Sequence, residues 1–189
     1  MKKTLITAGL SLAMLMPSVA SAADYTIDTS GAHASVNFKI SHLGYSFIIG
    51  RFNTFSGSFS FDENDVEASK VSVLIDTTSV DTNHSERDKH IRSADFINTN
   101  KFAEARFTST KVSKTEGKGL VIEGDLLLHG TTKPIVINAE FIGEGDDPWG
   151  GYRAGFTGTT RLELADFGIP ALPASTYADM ELHIEGIRN

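Results

Sequence analysis

Six histidines, at positions 33, 42, 84, 90, 129 and 183, carry the side chains best suited to acid–base or metal chemistry near neutral pH. Their spacing favours neither. His84 and His90 are six apart and so fall on different faces of a helix, and no H-E-x-x-H or similar close ligand pair occurs. The chain has no cysteine, which removes thiol nucleophiles, disulfides and zinc ribbons. Serine is present without the G-x-S-x-G turn that sharpens it into a nucleophile. Asp146-Asp147 sits in a Gly-rich turn, where solvation accounts for it. These residues point away from catalysis. One stretch differs: Asn83, His84, Arg87, His90 and Arg92 place two arginines and two histidines on one short element of an acidic protein. Such a group could hold a phosphate or quinone head by hydrogen bonds. A solvated amphipathic face is the competing reading.

The elements that must position these groups are mostly strands. Period-two alternation runs through Ala32–Ile40, Phe55–Phe61, Val71–Ile75, 105–112, 119–128, 133–144, 152–164 and Met180–Ile184, with a shorter run at Tyr25–Ile27. Lys114 to Gly119 and His129 to Thr132 carry the residues of tight antiparallel turns. The rhythm breaks once, where Asn83 and Glu86 have capping-box spacing and a helix from Asn83 to near Ala94 is expected. Phe96 is expected to tuck under the sheet after that helix. A sheet of about eight strands with one apolar face removes its edges by closing, so the fold class is all-β, an antiparallel barrel with one short inserted helix.

The chain has 12 Phe and 17 Gly against one Trp. The inward positions alternate rings with gaps: Phe38, Phe55, Phe59, Phe107, Phe141 and Phe156 beside Gly57, Gly124 and Gly158. Two readings follow. The rings fill the barrel, or the glycines facing them leave a dry slot for an apolar ligand. On the second reading a large side chain at Gly57 or Gly124 plugs the slot.

Lys2-Lys3, an apolar run from Leu5 to Met16 and small residues before Ala22 form the pattern of a secretory signal peptide over 1–22, which leaves 23–189 as one domain. The apolar run is shorter than the roughly 20 residues of a membrane span. Losing the two lysines takes the formal charge from −7 to −9. That balance argues against nucleic acid as a partner.

Several blocks together resemble the YceI-like family. They are His42-Leu43-Gly44-Tyr45-Ser46, Gly50 to Gly57, Asp76 to His90 with Arg92 to Phe96, Gly124 to Pro134, and Gly145 to Gly151 followed by Arg153 to Phe156. The resemblance spans nearly the whole mature chain. It implies an extended, lipocalin-like barrel of eight antiparallel strands in the bacterial periplasm, holding a polyisoprenoid lipid of quinone or isoprenyl-phosphate type in a long apolar channel. The expected contacts are Phe38, His42, Tyr45, Phe52, Phe55, Phe59, Phe107, Phe141 and Phe156, with Asn83, His84 and Arg87 for the head group. No resident cofactor, metal or catalytic residue is expected. Transient membrane contact and a monomer or homodimer are compatible with this picture. The alternatives are a ligand-free interaction module of the envelope and a metal protein or enzyme using His33, His42 or His84. The loop Gly168 to Thr176 matches no block and is placed to shape the barrel mouth.

Overall fold

A computed structural model describes residues 22–189; the expected leader lies outside the described residues except for Ala22. The period-two segments pair antiparallel into one sheet of eleven strands among those residues. They are β1 (Ala23–Ile27), β2 (Ser35–His42), β3 (Ser46–Phe52), β4 (Phe55–Phe61), β5 (Lys70–Asp76), β6 (Val80–Asp81), β7 (Glu104–Lys114), β8 (Gly119–Leu128), β9 (Thr131–Asp146), β10 (Tyr152–Glu163) and β11 (Tyr177–Arg188), with one helix, α1 (Ser85–Arg92).

Eight strands close a ring in the order β1-β4-β5-β7-β8-β9-β10-β11, with β11 returning to β1. The ring of eight is as expected, but its membership differs. The brief β1 belongs to it, whereas β2, β3 and β6 continue outward from β11 as extra wall. The strand β3 was not visible as a period-two run. Strand β9 has 16 residues, roughly 50 Å at about 3.3 Å per residue, so the barrel is extended along its axis.

The two ends are built differently. At one end the turns 28–34, 62–69, 115–118 and 147–151 gather, and Tyr25, Phe59, Phe61, Phe141 and Phe156 stack and cross at centroid separations of 4.8 to 5.3 Å. Such ring pairs contribute beyond their buried area. Burial, with the Glu144 carboxylate beside it, pushes the Tyr25 hydroxyl up to about 12, so it stays a donor to Glu144 at 3.1 Å.

Over this aromatic floor Arg153 ties three carboxylates. Its Nη1 donates to Asp28 and Glu185, both at 2.6 Å, and its Nε to Asp147 at 2.7 Å. Asp28 is buried. The Arg153 guanidinium, then His33 and the Gly31 amide, hold the Asp28 carboxyl well below the usual carboxylate range. Asp147 is also lowered, first by the Gly151 amide and then by Arg153. Because both folded values lie below the unfolded ones, this stabilisation is complete above about pH 4 and is lost as pH falls.

Arg153→Met is therefore expected to lower the thermal midpoint at neutral pH. It should also flatten the fall in midpoint that the native protein shows between neutral pH and about pH 3. Thermal melts across that range check both; parallel curves for the two proteins would show that the network does not set acid stability.

Candidate functional site

The inside of the wall is aliphatic because alternate residues of each strand face inward. Between the aromatic floor and the opposite end lies a cavity of about 500 Å³, within the range of small-molecule sites, about 300–1,000 Å³. Val36 and Ile40 of β2, Val71, Val73 and Ile75 of β5, Leu126 of β8, Ile137 and Ala139 of β9, Leu162 of β10 and Met180, Leu182 and Ile184 of β11 line it. Phe59, Phe61 and Phe156 form its floor. The cavity reaches the surface beside the β2–β3 hairpin (Ser41, His42, Leu43, Ile48), the loop 168–176 (Leu172, Ser175) and the helix with the segment after it (Arg87, His90, Ile91, Phe96, Ile97). Ser175 donates to the Ser41 carbonyl and joins two of these elements.

Helix α1 presents Arg87, His90 and Ile91 to the cavity on one face, at the three- and four-residue spacing that a helix requires. Arg87 is held from behind. Its Nε donates to Thr82 Oγ1 and its Nη2 to the Thr82 carbonyl, both at 2.7 Å. Thr82 Oγ1 in turn donates to the buried Asp88 carboxylate at 2.5 Å. Phe96, expected under the sheet, instead packs edge-on against His90 at 4.9 Å and lines the cavity. Arg87, His42 and His90 are the ionisable groups lining the cavity among the described residues, and no carboxylate lines it.

The expected contacts divide. Phe38, His42, Phe52, Phe59, Phe107, Phe156 and Arg87 line the cavity. Tyr45 does not; it stands at the hairpin tip, 87% exposed. Phe55 and Phe141 are packed into the core cluster at the floor end, and Phe141 is covered by Phe61 and Phe156. Asn83 and His84 also lie off the cavity. Asn83 has a φ of 60° and its amide bonds Asp81. His84, not Asn83, is the helix cap, its Nδ1 accepting from the Arg87 amide at 3.2 Å. The helix is accordingly shorter than the expected span. His90, named with Arg87 in the basic segment of the sequence, also lines the cavity; Phe61 and the many aliphatic positions do so without having been expected.

The glycines need a correction of a different kind. A Cβ on Gly124 would lie 2.5 Å from both the Phe107 ring and the Thr108 carbonyl oxygen, and one on Gly57 would lie 2.5 Å from the Ser72 carbonyl oxygen. Gly50 and Gly186 are covered in the same way by Phe38 and Phe59. Rings therefore lie over Gly50, Gly124 and Gly186, and Ile27 covers Gly57; of the three expected gaps Gly158 alone lines the cavity, whose open space lies mostly among aliphatic side chains. A large residue at Gly57 or Gly124 would meet backbone rather than plug a slot. Asp28, His33 and Glu185 converge closely enough to hold a cation, but Arg153 occupies the position between their oxygens with its own positive charge.

The model of the YceI-like domain matches residues 25–186. The chain belongs to the YceI-like family. It is 67% identical over 189 residues to a UPF0312 protein of Vibrio parahaemolyticus, covering all of both chains. To a UPF0312 protein of Shewanella baltica it is 58% identical over 190 residues, again covering both fully. Among solved structures, the YceI protein of Campylobacter jejuni superposes with a TM-score of 0.72 at 27% identity, covering 79% of this chain and 90% of that one. A polyisoprenoid binding domain from Saccharophagus degradans gives a TM-score of 0.62 at 16% identity, covering 87% and 98%. It shares the fold: the extended barrel with its helix is that of the YceI-like family.

Gly124→Ala is expected to destabilise the protein by about 1–3 kcal/mol, the usual scale for forcing extra volume into a packed site. Urea unfolding reads this directly. An unchanged midpoint would mean that the ring over Gly124 moves aside freely and that the glycine is not required for packing.

Proposed function

We propose that this protein is a non-catalytic carrier or buffer of a polyisoprenoid lipid in the bacterial periplasm, reached by the expected signal peptide. One observation carries the reading: an aliphatic cavity of about 500 Å³ inside the barrel, closed by aromatic rings at one end and fringed by basic groups at the other. Both readings of the Phe-rich interior then hold in part, since the rings fill the floor and the aliphatic stretch stays open. The family match and the fold shared with a domain described as polyisoprenoid binding support the choice of ligand.

The chain of the lipid lies along the aliphatic wall, and the head group lies at the mouth. There Arg87 offers its remaining N–H groups, and His42 and His90 offer imidazoles, to a phosphate or a quinone carbonyl. Burying one five-carbon isoprene unit from water is worth roughly 3–4 kcal/mol at about 0.8 kcal/mol per CH₂. A lipid leaving a bilayer starts in an equally apolar medium, so the net gain is far smaller. Uptake and release are then both accessible, which suits a carrier.

Two variants test this. Ala139 and Ala178 lie on inward-facing β9 and β11 positions, and both line the cavity. Ala139→Phe combined with Ala178→Phe should give a folded protein that purifies from periplasm without the prenylated lipid carried by the native protein, as read by native mass spectrometry after detergent-free preparation. Equal lipid content in native and variant protein would exclude the cavity as the site. Arg87→Met should weaken binding of undecaprenyl phosphate roughly 10- to 100-fold, the worth of a charge-assisted hydrogen bond, and weaken a long-chain quinone much less. Equal loss for both would assign Arg87 to holding the helix rather than the head group.

A further inference from the structure

The residues just outside the mouth are more apolar than a soluble surface requires. On the β2–β3 hairpin, Leu43 is 48% exposed, Tyr45 87%, Phe47 56% and Ile49 62%, and Leu172 on the facing loop is 52% exposed. Scattered exposed hydrophobics need no explanation, but a cluster beside a cavity does. Leu43 and Leu172 belong both to the cavity lining and to this surface, so the patch is continuous with the mouth.

The charge pattern of the same segments is equally uneven. The chain carries 24 acidic residues, yet residues 29–61 hold none, and residues 167–178 hold no charged residue of either sign. The cations near the patch are placed as they would be at a lipid boundary. Lys39 Nζ lies 5.0 Å over the Phe47 ring and 3.9 Å from Asp179, and Arg87 stands at the opening beside the imidazoles of His42 and His90. Tyr45 at the tip has the apolar body and polar end that favour the headgroup level of a bilayer. The hairpin and the loop themselves thus carry no carboxylate to repel phosphate; the acidic groups of the neighbouring elements are Asp179, which pairs with Lys39 at 3.9 Å, and Glu86, Asp95 and Asp166.

We propose that the hairpin tip and the loop 168–176 dock this protein on the surface of an anionic phospholipid bilayer, with the cavity mouth against the membrane. The inference rests on the carrier reading and adds the partner with which the cavity exchanges. Tyr45, Leu43 and Leu172 enter the headgroup region, Lys39 pairs with phosphates, and a lipid chain passes into the cavity without crossing water.

The test uses the mature protein and vesicles of phosphatidylcholine, with or without phosphatidylglycerol, in a flotation assay. The native protein is expected to float with vesicles containing phosphatidylglycerol and to be released by high salt. Y45D/L172D should reduce the floating fraction at least tenfold. V136D/I142D, which alters exposed apolar residues on the outer face of β9 instead, should leave it unchanged. Equal flotation of native and Y45D/L172D protein, or no flotation of either, overturns the proposal. So does a dimer, seen by sedimentation velocity, that Y45D/L172D dissolves without any vesicle binding, because the patch is then an interface between copies. A short-chain quinone added from ethanol separates this from the carrier reading. Y45D/I49D, which alters exposed hairpin residues outside the cavity lining, should bind that quinone as the native protein does, while losing uptake of a long-chain quinone from vesicles. Flotation of a native protein that binds no quinone would sink the carrier reading and leave the docking surface standing.

Discussion

One edge of β11 is divided between two strands, and the rest of the architecture follows from that division. Residues 178–183 pair with β2, while residues 186–188 pair with β1. A backbone edge can bond only one neighbour at each position, so the sheet has to part there. Beyond the parting, β1 and β4 close a narrow ring that aromatic side chains can fill. Before it, β2, β3 and β6 carry the wall outward, and α1 comes against β6 and the opening. A barrel closed by one seam along its whole length would offer no such contrast between its ends.

Each end has the chemistry its geometry permits. At the narrow end the turns come close enough for Asp28, Asp147 and Glu185 to share a single guanidinium, and a buried carboxylate is tolerable only with such partners. At the wide end the polar side chains that line the cavity are Arg87, two imidazoles and hydroxyls, and the one buried carboxylate of the helix, Asp88, is turned back to Thr82.

Much of this was legible in the sequence, and the failures have physical reasons. Alternation located β4, β5 and the long strands β7 to β11, because one face of each meets the core and the other meets water. Strand β3 escaped detection because Phe47-Ile48-Ile49 is apolar on both faces, and its outer face stays exposed. Phe opposite Gly is ambiguous without the strand register: the same residues describe a gap or a ring laid on backbone, and only the register that sets Ser109 opposite Gly124, with the Phe107 ring reaching across to it, decides it. The helix is legible in the sequence but its start is not: it begins at Ser85, two residues after the expected Asn83, which takes a left-handed turn before His84 caps. The Arg153 network joins residues 28, 33, 147, 153 and 185, and no local pattern could have gathered them.

The ring-over-glycine packing at the floor has a consequence for length. Phe59 is pressed on Gly186, stacked on Tyr25 and crossed by Phe156, so it cannot swing aside without disturbing three strands. A chain entering from the mouth meets a fixed stop rather than a yielding one. Under the carrier reading the barrel is a gauge: short chains leave space above the stop, and a chain longer than the cavity holds its head group out past Arg87, beside Leu43 and Leu172.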